Sequence, residues 1–254
     1  MLKVIVPVLN SEDRTDRKLA TFLEKKREIN KNWNSLRDKS GRQIKQKLED
    51  AFHNKCAYCE DNQGATVDHF WPKSVPKPPN NSNVCWDYAN FVLSCTGCQS
   101  AKLTQLPKND DDMWMVNPRS DDPMLYLYID LKTGAIAPTG PESGRGQLTI
   151  QRLKLDERGE KFNMNGARLI KYLDVFHYIK MVVDFHDADL PRSQEAWEHL
   201  CSHLSPANSY LAIIRQFLLD TPPGLIPLLE SLRRIHPEFD ELIEEWCLPK
   251  PENV

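Results

Sequence analysis

The sequence predicts an α+β protein in which helical regions flank a cysteine-rich segment and a small β region. Three observations support this. Apolar residues recur at helical spacing in residues 1–52 and 153–254, residues 53–110 lose that period and contain two cysteine pairs, and residues 111–152 have strand-like composition. These boundaries divide the chain into four regions. The total of 254 residues is enough for one large domain or two small ones.

The amino-terminal region is predicted to contain two helices. Between Asp16 and Phe52, apolar side chains recur at spacings near three, four and seven among many charged residues. Ser40 and Gly41 interrupt this pattern, so we expect the break between the helices there. The second helix would then lead directly into Cys56.

The β region contains three strand-like segments, which are MWMVNP (113–118), LYLYIDL (125–131) and LTI (148–150). The residues between LYLYIDL and the following AIAP segment include Lys132, Thr133 and Gly134, and they are predicted to form a hairpin turn.

Helical spacing returns in the carboxy-terminal region. The first helix there is expected to present one apolar face, formed by Leu169, Tyr172, Leu173, Phe176, Ile179 and Val183. Proline-rich breaks separate three further predicted helices, at Gln194–Leu204, Ser209–Leu219 and Gly224–Leu248.

Charge is distributed unevenly along the chain, although the formal net charge is only −3. Residues 1–60 contain fourteen Lys or Arg against nine Asp or Glu, whereas residues 161–254 contain nine against fourteen. A basic amino-terminal part suits a polyanion, and acidic carboxy-terminal helices suit a protein partner. The alternative for each is a solvated helix face.

The sequence indicates neither a membrane span nor a secretory signal. Every apolar stretch is far below the roughly 18 residues that a transmembrane helix needs. The amino terminus has only a short apolar run followed by charges, without a small-residue cleavage site. We therefore expect no membrane association and a cytoplasmic location.

Two cysteine pairs predict a structural zinc site. Cys56 and Cys59 form one pair, Cys95 and Cys98 form the other, and 35 residues lie between the pairs. An odd total of seven cysteines favours metal binding over disulfides in a reducing compartment. Two tight turns of this kind present four thiolates to one tetrahedral Zn²⁺, whose binding energy then contributes to folding. The remaining cysteines are expected to be small apolar side chains: Cys85, Cys201 and Cys247.

The segment between and around these cysteines resembles the HNH endonuclease family. The resemblance depends on CAYCE, on VDHFWPKS and on YANFVLSCTGCQSAK, which together span residues 56–102. It implies a core of two strands and one helix, the ββα-metal fold, which binds one divalent metal ion in addition to the zinc.

The resemblance also implies roles for individual residues. His69 corresponds to the general base, and an imidazole with a pKa of about 6.5 can take a proton from water at neutral pH. Asp68 would be a ligand of Mg²⁺ or Mn²⁺. Asn90 would brace the loop that carries the base, and so would support geometry rather than chemistry.

Gln99 is the main departure from the HNH pattern. It occupies the last motif position, which is usually Asn or His and supplies another metal ligand. Gln offers the same amide oxygen one methylene further out, so it either binds a shifted metal ion or leaves the site weak or inactive. Lys73 and Lys102 are candidates to neutralise phosphate in a nucleic acid, or they are solvated surface charges.

The likeness extends to the HNH proteins called PtuB, which accompany an ATPase called PtuA in Septu-type and retron-linked bacterial anti-phage defence. It covers roughly residues 45–175 and includes Pro72–Ser74, Trp86, Asn117–Arg119, Asp121–Pro123 and the LTIQRLKLDERG segment. It implies that the acidic carboxy-terminal helices dock a PtuA-like ATPase.

Three functions stay open. The favoured one is a nuclease that cleaves DNA with His69 as base and with Asp68 and Gln99 holding the metal. The second is an RNA nuclease, acting for example on tRNA, because an attacking water needs no 2′-hydroxyl. The third is a non-catalytic zinc module with a degenerate site that binds nucleic acid or protein. The presence of both Asp68 and His69 argues against the third.

Overall fold

The fold is built mainly from helices, with two small antiparallel strand pairs among the described residues. The computed structural model describes residues 8–29, 39–62, 64, 66–73, 84–103, 114–139, 144–244 and 246. This architecture confirms the predicted α+β class.

Two amino-terminal helices, α1 (Arg14–Ile29) and α2 (Lys39–Phe52), pack against each other. The prediction of two helices is confirmed. The expected break at Ser40 and Gly41 is wrong, because both residues lie in the first turn of α2. A first turn tolerates them because its backbone donors have no partner within the helix. The helices share one buried apolar layer, which contains Leu19, Leu23, Ile44, Leu48 and Phe52.

A strand–strand–helix unit follows α2. Strand β1 (Thr66–His69) pairs antiparallel with β2 (Phe91–Ser94), and His69 lies opposite Phe91. Helix α3 (Thr96–Leu103) follows β2 after one intervening residue, Cys95. Every residue of β2 is buried, and α2 packs against both strands. The unit is therefore supported by the amino-terminal helices.

The second strand pair is the predicted hairpin. Strand β3 (Leu127–Ile129) pairs antiparallel with β4 (Ile136–Pro138), which confirms the expected turn between them. Gly134 has a φ of +70°, and a Cβ there would collide with the carbonyl of Asn165. The turn therefore requires glycine for its backbone conformation and for the close approach.

Two other strand predictions in this region are wrong. Residues 114–117 form no strand, although their apolar side chains are buried. The LTI segment belongs to helix α4 (Gly144–Leu153), where Ile150 and Leu153 are buried one turn apart. An apolar triplet is too short to distinguish a strand from a helix.

Among the described residues six α-helices follow, and the longest of them, α6, packs against four of the others, α5, α7, α8 and α9. In order they are α5 (Leu155–Lys161), α6 (Met164–Phe185), α7 (Leu190–Leu204), α8 (Leu211–Leu219), α9 (Ile226–Ile235) and α10 (Phe239–Glu244). None of the helices in the described part of the chain is long and apolar enough to cross a membrane.

The buried face of α6 differs from the predicted one. The buried residues are Met164, Arg168, Lys171, Val175, Ile179 and Val182, whereas Leu173 is 50% exposed. Two cations belong to this face because their head groups reach backbone carbonyls. Arg168 donates to Gly134 O at 3.1 Å, and Lys171 donates to His203 O. Ile179 of the predicted face is buried and Tyr172 and Val183 pack against the core, but the two buried cations rotate the buried face away from Leu173.

Polar contacts tie the carboxy-terminal helices to the cysteine-rich segment. Lys55 Nζ donates to Asn208 O at 2.9 Å, and Ala212 N donates to Glu60 Oε2 at 3.2 Å. Buried apolar residues from α1 to α10 form one cluster. The division at residues 52, 110 and 152 stays a prediction.

Candidate metal centre and adjacent polar cluster

The four predicted zinc ligands meet in one buried cluster. The sulfur atoms of Cys56, Cys59, Cys95 and Cys98 all lie within 4.8 Å of one another, and those of Cys59 and Cys95 are 3.8 Å apart. A tetrahedral zinc ion with Zn–S bonds of about 2.3 Å requires sulfur atoms about 3.8 Å apart. The cluster therefore fits a structural metal ion such as zinc.

Backbone hydrogen bonds shape the two turns that carry these cysteines. In the first turn, Glu60 N donates to Cys56 O at 2.9 Å, and Glu60 itself has a φ of 64°. In the second, Cys98 N donates to Cys95 Sγ at 3.3 Å. Ala57 N also donates to Leu93 O at 2.8 Å. The first turn is thus attached directly to β2.

Arg158 of α5 lies against the sulfur cluster. Its Nη1 donates to Cys98 Sγ at 2.8 Å, and its Nη2 contacts Cys95 Sγ at 3.6 Å. Burial lowers the pKa of Arg158, but the neighbouring sulfurs outweigh this and raise it. Gly97 permits the approach, because a Cβ there would lie 2.6 Å from Arg158 Nη2. The guanidinium offsets the negative charge that four thiolates bring.

Asp68 lies near the end of β1 in a buried polar cluster. Tyr58, from the turn between Cys56 and Cys59, donates its hydroxyl to Asp68 Oδ2 at 2.7 Å. Lys102 of α3 donates to the same oxygen and to the carbonyl of His69. Burial raises the pKa of Tyr58, and the charge of Asp68 adds to the effect.

Lys102 does not have the exposure expected of a phosphate contact. It is 4% exposed, because α3 contacts β1 and turns this side chain inward onto Asp68. Burial lowers its pKa, while the Asp68 carboxylate opposes that shift. Lys73, in contrast, is exposed.

His69 follows Asp68 and is 8% exposed. Its Nε2 lies 2.9 Å from the carbonyl oxygen of Cys85. Because a carbonyl only accepts, Nε2 carries the proton, and the lone pair of the neutral ring is at Nδ1. Burial lowers the pKa of His69 to about 3; the Cys85 hydrogen bond opposes this, and the charges of Lys102 and Lys73 reinforce it. The imidazole is therefore neutral at physiological pH.

Asn90 holds the chain that leaves His69. Its Oδ1 accepts from Trp71 N at 2.7 Å, and its Nδ2 donates to Trp71 O at 3.0 Å and to Val84 O at 3.1 Å. Phe70 N also donates to Asn90 O at 2.8 Å. The buried amide thus connects the segments on both sides of the site.

Gln99 faces a different residue of β1. Its Oε1 accepts a hydrogen bond from Thr66 Oγ1 at 3.3 Å. Thr66 and Asp68 share one face of the strand because side chains alternate along it. Lys102 is one helical turn after Gln99, and it is the α3 side chain that meets Asp68. Asp68 and Gln99, the two predicted metal ligands, therefore face the same side of β1. Gln99 contacts Thr66, whereas Asp68 contacts Tyr58 and Lys102.

Sequence reasoning missed three contributors to this site. Arg158 is 60 residues from Cys98 in sequence, and its role depends entirely on tertiary packing. For Tyr58, the sequence indicates only its position between the first two cysteines and no contact with Asp68. Cys85 acts through its backbone carbonyl, which any residue could supply.

No protein-family model, curated protein or solved structure matches this chain. Inference about its function therefore depends on the chemistry of the cysteine cluster and of the neighbouring Asp68 and His69.

Proposed function

We propose that the protein is a metal-dependent HNH-type endonuclease that hydrolyses phosphodiester bonds, with DNA the favoured substrate. The observation that supports this best is the placement of Asp68 and His69 side by side at the end of β1. Tyr58, from the first cysteine turn, and Lys102 of α3 both contact Asp68, and Asn90 braces the following residues. The order strand, strand, helix agrees with the HNH resemblance.

In this proposal His69 is the general base. Its neutral ring accepts a proton from the attacking water at Nδ1, while Nε2–H keeps the ring oriented through the Cys85 carbonyl. A positioned base of this kind contributes roughly 10²–10⁴-fold to a rate. The low pKa of His69 keeps the base unprotonated. A weakly basic imidazole also gives a smaller driving force for proton transfer from the attacking water.

Asp68 is the proposed ligand of Mg²⁺ or Mn²⁺. Among the described residues, Tyr58 and Lys102 both bond to Oδ2, and Oδ1 takes no hydrogen bond. This leaves one hard carboxylate oxygen of the kind that these cations prefer. Gln99 is the candidate second ligand, and a bound cation would stabilise charge on the phosphate and the leaving oxygen. Lys73 is exposed and is proposed to neutralise phosphate.

One observation favours the non-catalytic alternative. Lys102 already neutralises Asp68 in a site where both side chains are under 10% exposed. An ammonium that satisfies this carboxylate reduces its need for a divalent ion. In that case the segment would be a zinc-stapled module that binds nucleic acid or protein.

The deciding experiment is a cleavage assay on DNA and on RNA with Mg²⁺ or Mn²⁺. It compares the wild type with His69→Ala and with the control His177→Ala, which alters an exposed histidine on α6. Loss of cleavage in His69→Ala alone supports the proposal and identifies the polymer. Absence of cleavage by a folded, zinc-loaded wild type, with and without a PtuA-like ATPase, would favour the non-catalytic module.

We also propose, from the PtuB resemblance, that the protein acts in anti-phage defence together with such an ATPase. Exposed acids on the carboxy-terminal helices are the candidate docking residues, namely Glu195, Glu198, Glu230, Glu241 and Glu244. Reversal of these charges should weaken co-purification with the ATPase. Unchanged co-purification would exclude this surface.

A further inference from the structure

Helix α1 presents four cations to solvent on one face, which we call the basic stripe. We define the stripe by Arg14, Arg17, Lys18 and Lys25, which are all exposed. They lie three, four and eleven residues after the first of them, so they share one face of the helix. The opposite face is buried and contains Leu19 and Leu23. Packing therefore fixes which way the four cations point.

The four cations of the basic stripe have no carboxylate partner within the described part of the protein. No carboxylate among the described residues forms an ion pair with any of the four side chains. Asp16, on the buried face of α1, is instead engaged by Lys47 of α2 at 2.8 Å. The stripe thus remains available for an external anion.

Size and composition favour a polyphosphate backbone over a lipid surface. The stripe extends for about 16 Å, since eleven residues rise 1.5 Å each. One DNA strand places about five phosphates over that length, at about 3.4 Å each. The four cations, with Thr21 and Phe22, line a depression of about 440 Å³. A membrane-binding helix needs a large apolar face, whereas Phe22 is the only apolar residue of this lining.

The stripe is mechanically connected to the Asp68–His69 site. Helix α1 packs on α2, which packs on β1 and β2. The Tyr88 ring contacts Phe91 with centroids 6.4 Å apart, and Phe91 contacts His69 at 5.3 Å. Helix α1 is thus joined to the strand pair through α2, and the ring contacts from Tyr88 to His69 lie within the strand unit itself.

We propose that the basic stripe of α1 binds the phosphate backbone of the nucleic acid that the Asp68–His69 site cleaves. The inference rests on the proposed nuclease function. The stripe binds without reading base sequence, because phosphate contacts carry no sequence information directly.

The test measures binding separately from cleavage, in a His69→Ala background. One variant neutralises the stripe with Arg14→Gln, Arg17→Gln, Lys18→Gln and Lys25→Gln. The matched control removes the same charge from exposed positions on the carboxy-terminal helices, with Lys161→Gln, Lys180→Gln, Arg192→Gln and Arg234→Gln. Fluorescence anisotropy gives the dissociation constant for labelled duplex and single-stranded DNA over a range of salt concentrations.

The slope of log affinity against log salt should become shallower in the stripe variant alone. The expected change is about 3.6 for duplex and about 2.8 for single strands, at about 0.9 and 0.7 per phosphate for four phosphates. Equal slopes in the two variants would overturn the proposal, as would stripe-dependent binding to anionic phospholipid vesicles in place of DNA. Stripe-dependent DNA binding without cleavage by the His69-intact protein would disprove the nuclease function while leaving the stripe's role intact.

Discussion

Replacement of Lys102 by Met tests the buried ion pair at the centre of the site. Methionine preserves most of the side-chain volume but removes the ammonium that contacts Asp68 and the His69 carbonyl. Asp68 and Lys102 are 5% and 4% exposed. Loss of one partner from a buried pair costs about 3–5 kcal/mol, because the other charge is left uncompensated. A solvent-exposed pair would contribute only about 0–1 kcal/mol.

A double-mutant cycle separates the pair from other effects of the substitution. Asp68→Asn removes the carboxylate, and the double variant leaves no buried charge unpaired. We therefore expect the double variant to be more stable than Lys102→Met alone. The free energy of unfolding is measured by urea denaturation at neutral pH, with zinc held constant.

Added Mn²⁺ distinguishes the two functional proposals in the same assay. If Asp68 is a metal ligand, Mn²⁺ should restore stability to Lys102→Met, by about 2.7 kcal/mol at a hundred times the dissociation constant. The non-catalytic alternative predicts no restoration. A cost below about 1 kcal/mol for Lys102→Met, without coupling to Asp68→Asn, would refute the buried pair.

Three further predictions concern the cysteine cluster, the buried amide of Asn90 and the pH dependence of stability. Arg158→Met should weaken zinc binding roughly 10–100-fold, because it removes the donor to the Cys98 sulfur. Competition with a chromophoric chelator measures the zinc affinity. An unchanged affinity would contradict the role of Arg158. Asn90→Ala should lower the free energy of unfolding by about 1–3 kcal/mol for each buried backbone group it leaves unpaired, as measured by urea denaturation. An unchanged free energy of unfolding would show that water replaces the amide. Burial lowers the pKa of Lys171 to about 8, although Asp174 opposes the shift. The unfolded chain keeps this proton up to a pH of about 10.4, so stability should rise between these values by up to about 1.4 kcal/mol per pH unit. Urea denaturation across this pH range should show no such rise in Lys171→Met. Parallel curves of unfolding free energy against pH for the wild type and Lys171→Met would contradict the lowered pKa of Lys171.

Much of the fold and of the candidate metal site could be predicted from sequence because the signals are local. Two cysteines separated by two residues constrain one turn, and the sulfur positions then follow from the two turns meeting. The hairpin at Gly134 is local for the same reason, since its positive φ is a property of a single residue. The spacing of apolar residues likewise predicted the two amino-terminal helices, because helical periodicity is also a local pattern.

Tertiary structure decided the properties that depend on which surfaces meet. Lys102 looks in sequence like a surface lysine, and only the packing of α3 over β1 makes it the partner of Asp68. The LTI segment is helical because its neighbours bury one side of a helix there. Arg168 and Lys171 occupy the buried face of α6 because carbonyls from distant segments receive their charges. The sequence by itself thus determined the α+β class and the cysteine cluster, because those patterns act over a few residues. The charge partners of the candidate site depend on contacts between residues far apart in the chain.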